Sequence, residues 1–224
     1  MRLKTAVVFL TLSLVCLISR VSFADSLTLS NVGGASTDGF YVDPYIFTIT
    51  GPGGTSTLVD MSCLNFNREV SIGQSWNANP ISVASIGSTA VIDGESVIDL
   101  LADAYLYNQY AAAIGNAQLT SDIQFAIWSI MDPTGVAVES GFDANASALA
   151  TAAKAAAPAA LLAGDFANDV VFVPSDSYPN GGEPQLFMTD PPPPAITPEP
   201  TSLILLGTGL LGTVGLMRRK FRKA

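Results

Sequence analysis

Short runs of β-branched and aromatic residues, separated by turn residues, dominate the chain between residues 25 and 80. Runs of this kind predict β-strands, because they suit a pleated surface that is buried on one side. The runs at residues 41–50 and 57–63 flank a Gly-Pro-Gly-Gly-Thr turn and therefore predict a β-hairpin. Residues 69–76 predict a further strand.

Beyond residue 95 the apolar positions recur at the spacing of an α-helix. Ser96 is a suitable N-cap for the first helix, Asp132-Pro133 ends the second, and Pro158 is expected to interrupt the third. The pattern predicts helices at residues 96–114, 122–131 and 144–163.

Two short runs at residues 170–173 and 185–188 predict closing strands after the helices. Because strands precede and follow one helical block, the expected fold class is α+β. We expect a β-rich sandwich or barrel-like domain at residues 25–190 that carries a helical insertion, followed by a single C-terminal apolar helix.

Residues 1–24 have the layout of a secretory signal peptide, which signal peptidase would remove. A short basic start precedes an apolar stretch at residues 6–18, and small residues lead up to the expected cut between Ala24 and Asp25. The alternatives are an uncleaved anchor or a buried helix, although the apolar stretch is short for a membrane span. Cleavage would leave Cys63 as the one cysteine of the mature chain.

The end of the chain combines a proline spacer at residues 191–197, an apolar run at residues 201–217 and a basic tail. As a helix, the apolar run would be about 25 Å long, slightly less than the roughly 30 Å of a bilayer core. The positive-inside rule then places the tail in the cytoplasm and the body outside the inner membrane. The basic residues of the tail are Arg218, Arg219, Lys220, Arg222 and Lys223.

Residues 198–224 resemble the PEP-CTERM sorting signal of exopolysaccharide-producing Gram-negative bacteria. The resemblance rests on Pro198-Glu199-Pro200, the apolar helix and the Arg-rich end. It implies that an exosortase processes the chain near Pro-Glu-Pro and that the body reaches the cell surface or a biofilm matrix. In that role the motif is a substrate site and not a catalytic one.

The charge of the body excludes nucleic acid as a partner. Between residues 25 and 197 the basic residues are Arg68 and Lys154 against 18 acids, so the net charge is −16. Such a body lacks the cationic surface that displaces counterions from phosphates. The chain also has no histidine, which removes Ser-His-Asp and Cys-His catalysis and histidine metal sites.

Two motifs carry candidate chemistry. Met-Ser-Cys-Leu-Asn-Phe at residues 61–66 places Cys63 at a predicted strand end, and Ile-Gln-Phe-Ala-Ile-Trp at residues 123–128 places Gln124 in an apolar helix. Together they resemble the thioester domains of bacterial surface adhesins, which pair an early cysteine with a later Gln-x-Ala-Ile-Trp motif. Ser62 and Ile123 depart from the aromatic residue and the threonine that often stand at these positions in that family.

The resemblance implies an internal thioester between the thiol of Cys63 and the side-chain acyl group of Gln124, formed with loss of ammonia. Phe125, Ile127 and Trp128 would keep water from the bond. The implied function is covalent adhesion to an amine-bearing surface ligand, without enzymatic turnover, cofactor or metal. The implied fold is a β-sandwich or barrel with a helical subdomain.

Two other functions stay open at the level of sequence. In the first, these positions only share the core of that family, Cys63 is a free buried thiol, and the chain is a passive structural or exopolysaccharide-associated matrix protein. In the second, the chain is a secreted hydrolase that uses a carboxylate pair. Acidic groups at Asp99/Asp103 and at Asp143/Asn145/Ser147 could bind calcium, but no complete ligand loop is present.

Overall fold

Six antiparallel strands close into a barrel in the computed structural model, which describes residues 24–51, 54–86, 91–178 and 182–190. Around the barrel the strands follow the order β1-β4-β5-β10-β9-β6, and two short hairpins, β2-β3 and β7-β8, lie outside it. The strands are β1 (Asp25–Val32), β2 (Ser36–Thr37), β3 (Phe40–Tyr41), β4 (Tyr45–Thr50), β5 (Ser56–Cys63), β6 (Ser75–Ser82), β7 (Val91–Ile92), β8 (Glu95–Ser96), β9 (Val170–Pro174) and β10 (Phe187–Thr189).

The barrel strands alternate between an inner and an outer face, as the two-residue period of a strand requires. In β4 the inner residues Tyr45, Phe47 and Ile49 are buried. The ring of Phe47 packs at 4.5 Å from that of Phe187 and at 5.6 Å from that of Trp76, measured between centroids. This aromatic cluster fills the barrel interior.

All of the described α-helices belong to one insertion between β6 and β9, two strands that are neighbours in the barrel. A 3-10 turn at Val83–Ser85 leads out of β6. The helices are α1 (Val97–Ala113), α2 (Ala117–Met131), α3 (Pro133–Val136) and α4 (Ala144–Ala163). The predicted α+β class, with a barrel-like sheet and a helical insertion, is confirmed.

Side-chain caps explain where the long helices begin and end. The Ser96 hydroxyl accepts the Asp99 backbone N–H at 3.2 Å, as predicted. The second helix begins at Ala117 and not at residue 122, because Asn116 caps it through the Leu119 N–H at 3.2 Å. Gly164, with φ +85°, ends α4 in the left-handed conformation that glycine adopts without strain.

The expected interruption at Pro158 is wrong, since α4 continues through this residue to Ala163. Proline removes a backbone hydrogen bond to the carbonyl four residues earlier, here that of Lys154. Both residues lie on the exposed side of α4, so water can solvate the freed carbonyl. The buried alanines 146, 153, 157 and 160 lie on the opposite side.

The strand predicted at residues 69–76 is also wrong in its position. A turn occupies residues 71–74, where the Gln74 N–H donates to the Ser71 carbonyl at 2.9 Å and Gly73 adopts φ +88°. The strand begins only at Ser75 and runs to Ser82. Likewise, the strand predicted at residues 41–50 begins at Tyr45, directly after Pro44.

Among the described residues, α4 is the one helix whose length and composition would allow it to cross a membrane. Its buried alanines and an ion pair at 2.9 Å between Lys154 Nζ and Asp99 on α1 fix it to the other helices instead. The predicted signal peptide up to residue 23, the proline spacer, the sorting motif and the apolar helix at residues 201–217 lie outside the described residues.

Candidate functional site

The end of strand β5 brings the two sequence motifs together. Cys63 is its last residue and pairs with Phe187 of β10, while Ser62 pairs with Met188. Paired residues share a face of the sheet, and the ring of Phe187 lies inside the barrel against Phe47. Cys63 therefore belongs to the inner face, and Ser62 belongs to the outer face, which the helices cover. Ser62, Cys63 and Gln124 are all 0% exposed.

The side-chain amide of Gln124 is fixed at both of its ends. The Ser62 hydroxyl donates to Gln124 Oε1 at 3.0 Å, and Gln124 Nε2 donates to the Cys63 backbone carbonyl at 2.7 Å. A backbone carbonyl can only accept a hydrogen bond, so this contact defines which end of the amide is the nitrogen. The predicted partner of Cys63 therefore lies directly against its peptide group.

The thiol of Cys63 makes its hydrogen bond elsewhere. Its Sγ donates to the Asn65 backbone carbonyl at 3.2 Å, and among the described residues no hydrogen bond joins Sγ to the Gln124 side chain. The structure thus places the two predicted residues in contact through the backbone of Cys63 and not through its sulfur.

Burial raises the pKa of the Cys63 thiol to about 12. The Trp128 indole N–H, the Asn65 backbone and the Gln185 amide partly oppose this effect. The indole nitrogen has no hydrogen-bond partner within the described chain. Trp128 lies one helical turn after Gln124, so the two side chains project from the same face of α2.

An aromatic shell surrounds this end of the barrel. The predicted pocket residues Phe125, Ile127 and Trp128 are buried, and the rings of Phe125 and Trp128 lie 5.2 Å apart. Phe66 joins them at 5.4 Å from Trp128, and Phe40 lies 4.8 Å from Phe66. Phe40 and Phe66 were not predicted as pocket residues, because their contacts with Trp128 join segments that are distant in the sequence.

Polar contacts hold the segment after Cys63 against the residues that directly precede β10. Asn65 Oδ1 accepts the Leu186 backbone N–H at 2.6 Å. The Gln185 side chain donates to the Asn65 carbonyl at 3.2 Å and also to the Arg68 carbonyl. These contacts fix the carbonyl that accepts the thiol proton of Cys63.

Asp103 is a further buried polar group that sequence analysis did not connect with this site. It is 0% exposed, and neither carboxyl oxygen has a hydrogen-bond partner within the described residues. Burial, together with the negative charges of Asp99 and Glu95, raises its pKa well above the ordinary value. Its charged form would in turn raise the pKa of Cys63.

The acidic groups considered for calcium have other roles in the fold. Asp99 pairs with Lys154 at 2.9 Å, and Asp143 caps α4 by accepting the N–H groups of Asn145 and Ala146. In the described ranges, no group of three metal-ligating acidic or cysteine side chains is placed to hold an ion. Asp25, at the predicted signal cleavage site after Ala24, opens β1 and is buried opposite Ala78.

The class that the fold defines is an α+β barrel domain with one helical insertion, and the end of the chain adds a sorting signal. The family model of the PEP-CTERM protein-sorting motif matches residues 197–220, which confirms the prediction based on Pro198-Glu199-Pro200. This motif marks an exported surface protein that an exosortase processes and that carries a C-terminal membrane-anchoring region.

Solved structures similar to this chain include two thioester domains and one domain of a pilus tip adhesin. The N-terminal thioester domain of the fibronectin-binding protein SfbI from Streptococcus pyogenes is 14% identical, with a TM-score of 0.39 over 79% of this chain and 97% of that domain. The N-terminal domain of the Streptococcus pyogenes pilus tip adhesin Cpa has the same identity and coverage, with a TM-score of 0.38.

The N-terminal thioester domain of a surface protein from Clostridium perfringens is also 14% identical, with a TM-score of 0.41 over 74% of this chain and 97% of that domain. These are domains of the class that the Cys63 and Gln124 motifs resemble, but similarity at this level assigns no function. No curated protein matches the sequence.

Proposed function

We propose that this chain is an exosortase-sorted surface protein that attaches covalently to amine-bearing ligands through an internal thioester between Cys63 and Gln124. The observation that carries the proposal is the buried Gln124 amide, which hydrogen-bonds to the Cys63 carbonyl at 2.7 Å and to the Ser62 hydroxyl at 3.0 Å. Burying an amide is costly unless it is hydrogen-bonded, and these two contacts hold the amide in one orientation directly beside Cys63.

The reaction is an acyl transfer within the folded chain. The reaction requires Sγ of Cys63 to leave the Asn65 carbonyl and to approach Cδ of Gln124, whose amide is already held in place. The new bond joins Sγ to Cδ of Gln124, and the bond from Cδ to Nε2 breaks. The thiol proton ends on the departing nitrogen, so one ammonia leaves and no other reactant is required.

Once formed, the thioester would react with an amine and resist water. The aromatic shell of Phe40, Phe66, Phe125 and Trp128 surrounds the site and excludes bulk water. An amine attacks Cδ, the thiol of Cys63 is released, and a stable amide joins Gln124 to the ligand. The net charge of −16 on residues 25–197 favours the approach of a cationic amine.

The protein's own amines offer little competition for the bond. Within residues 25–197 there is a single lysine, Lys154, and it is engaged with Asp99 at 2.9 Å on the outer side of α4. The thioester would therefore not be consumed by a lysine of the body before a ligand amine reaches it.

The proposed location follows from the ends of the chain. Signal peptidase would cut after Ala24, and the apolar helix at residues 201–217 would hold the body on the outer side of the inner membrane of a Gram-negative bacterium. Exosortase would then act near Pro198-Glu199-Pro200 and pass the body to the cell surface or to an exopolysaccharide matrix.

A second candidate function is a passive matrix protein with no reactive bond. It is favoured by the Cys63 thiol itself, which donates to the Asn65 carbonyl and whose pKa burial raises to about 12. A thiol with that pKa is almost wholly protonated at neutral pH, and a protonated thiol is a poor nucleophile. In this alternative, Gln124 only satisfies the polar groups of Ser62 and Cys63.

Intact-mass measurement of the full chain, purified in detergent, separates the two functions. A thioester predicts a mass that is one ammonia lower than the processed sequence requires, and methylamine should then add as a single adduct. Cys63→Ala is the control and should show neither effect. An unshifted mass, with a thiol that titrates on unfolding and no methylamine adduct, would support the passive protein.

A further inference from the structure

The hydrogen bond from Ser62 to Gln124 has a consequence for the chemistry of the site. Ser62 lies on the outer face of β5, is fully buried, and donates to Gln124 Oε1 at 3.0 Å. This oxygen belongs to the carbonyl whose carbon would be attacked in forming and in opening a thioester. A donor is therefore already in place on the atom that gains negative charge in both steps.

We propose that Ser62 is a catalytic residue of the thioester reaction, and that its hydroxyl stabilises the oxyanion that develops on Gln124 Oε1. The inference rests on the proposed function. When Sγ attacks Cδ, the carbonyl electron pair moves to Oε1, and the Ser62 O–H bond to that oxygen becomes charge-assisted. The intermediate then collapses, and Nε2 leaves as ammonia with the thiol proton.

The same donor acts again when a ligand amine opens the bond. Attack on Cδ returns the negative charge to Oε1, and collapse then releases the thiolate of Cys63, which takes up the proton given by the amine. Ser62 therefore affects the rate of ligand capture as well as the rate of bond formation. A donor that only completes a buried hydrogen-bond network would affect stability and leave these rates unchanged.

The contact between Gln124 Nε2 and the Cys63 carbonyl complements this role. It holds the amide so that Oε1 points at Ser62. Without this contact, the glutamine side chain could rotate and Oε1 would not keep this position. The Ser62 hydroxyl and the Gln124 amide nitrogen are both shielded from water. In a buried site of this kind, a preorganised hydrogen bond stabilises charge more strongly than it does at a surface.

The matched test compares Ser62→Thr with Ser62→Val in the full chain. The two side chains have nearly the same shape and both suit a β-strand, but only threonine keeps the hydroxyl. The measurement is the rate of methylamine uptake at Gln124, followed by intact mass. We expect the threonine variant to react at close to the wild-type rate and the valine variant about 10²–10³-fold more slowly, the range for loss of one oxyanion donor.

Ser129→Ala is the control for removing a hydroxyl from the same region, because Ser129 donates to the Ala126 carbonyl on α2 and does not contact Gln124. It should react as the wild type does. Thermal melting of each variant separates a loss of rate from a loss of folding. If the valine variant does not fold, Ser62→Ala takes its place, because it also lacks the hydroxyl and should show the same loss of rate relative to Ser62→Thr.

Two results would overturn the inference. Equal uptake rates in folded Ser62→Val and Ser62→Thr would reduce Ser62 to a structural role while leaving the thioester in place. Ammonia loss that persists in Cys63→Ala would show that the loss does not require the Cys63 thiol, and would contradict the step in which Ser62 is proposed to act. A wild-type chain that never loses ammonia is a distinct outcome, because it removes the proposed function and the inference together.

Discussion

Burial at the residue scale determines which groups of this site can ionise. Asp103 and Cys63 are both fully buried, and burial raises the pKa of each. The groups that face Asp103 are the acids Asp99 and Glu95, which add to the shift, and Lys154, which opposes it. Burial therefore favours the protonated forms of both side chains.

Asp103→Asn should weaken the dependence of stability on pH. An unfolded aspartate has a pKa of about 4, so between that value and the raised pKa the folded chain holds one more proton than the unfolded chain. The free energy of unfolding of the wild type therefore falls as pH rises above about 4. The amide introduced by the substitution cannot titrate, and urea unfolding of the full chain at several pH values should show a shallower slope.

The control for this prediction is Asp60→Asn, which removes one negative charge from the exposed face of β5. Asp169 contributes a slope of the same sign, since burial raises its pKa to about 6, so the Asp103 variant retains part of the effect. Unchanged slopes in Asp103→Asn would mean that this carboxyl does not titrate differently in the folded chain.

Gly141→Ala should disturb the aromatic shell. A Cβ at this position would lie 2.3 Å from Cε2 of the Phe125 ring, which is itself packed against Trp128. The ring must shift, and we expect a loss of about 1–3 kcal/mol of stability. Gly115→Ala is no control because of its positive φ, whereas Gly34→Ala meets open space. Equal melting temperatures for Gly141→Ala and Gly34→Ala would contradict this packing.

At the scale of elements, helix ends were predictable where a single residue determines them. Asp143 and Gly164 lie at the two ends of α4, and the bounds predicted for this helix are correct. Asn116 was overlooked as a cap, so α2 was predicted too short. The strand at residues 69–76 was misplaced because Val70 and Ile72 look like strand residues, although Gly73 turns the chain between them and β6.

The candidate site was predictable only in part, because some of its contacts join segments that are distant in the sequence. Cys63 and Gln124 belong to recognisable motifs, but the contacts of Ser62 and the position of Asp103 depend on the register of β5 and on how the helices pack. Local sequence does not determine such contacts between distant segments. The place of Phe40 and Phe66 in the aromatic shell was not predicted for the same reason.

Pro158→Ala should stabilise the chain. The ring lies on the exposed side of α4, and alanine restores a backbone hydrogen bond to the Lys154 carbonyl without removing a buried contact. Proline inside a helix costs up to about 3 kcal/mol relative to alanine, so we expect a gain of roughly 1–3 kcal/mol in urea unfolding. Thr151→Ala, on the same exposed side, should change stability by less than about 0.5 kcal/mol. A loss of stability in Pro158→Ala would contradict the prediction.

At the scale of the whole molecule, the barrel domain and the sorting signal have separate roles. The signal at residues 197–220 delivers the protein, and the end of β5 with α2 carries the candidate chemistry. The strongly acidic body is consistent with an exported protein, since its charge repels nucleic acid and anionic lipid surfaces. Anchoring and capture can then be tested independently.

Replacing Pro198-Glu199-Pro200 with three alanines should block processing in a bacterium that has an exosortase. The chain is then expected to remain in the inner-membrane fraction with its basic tail attached, since the apolar run at residues 201–217 is unchanged. Immunoblots of membrane, surface and medium fractions, with Cys63→Ala as a control that should still be sorted, measure this. Surface delivery of the triple-alanine variant would contradict the assigned role of the motif.

The proposed bond between Cys63 and Gln124 is tested most sharply with trypsin, which cuts the body after Arg68 and so separates the two residues. The native chain is treated with methylamine, unfolded and digested, and the peptide spanning residues 69–154 is sequenced by mass spectrometry. A thioester predicts a methylamide on Gln124 that is absent from Cys63→Ala. An unmodified Gln124 in the wild type would contradict the bond.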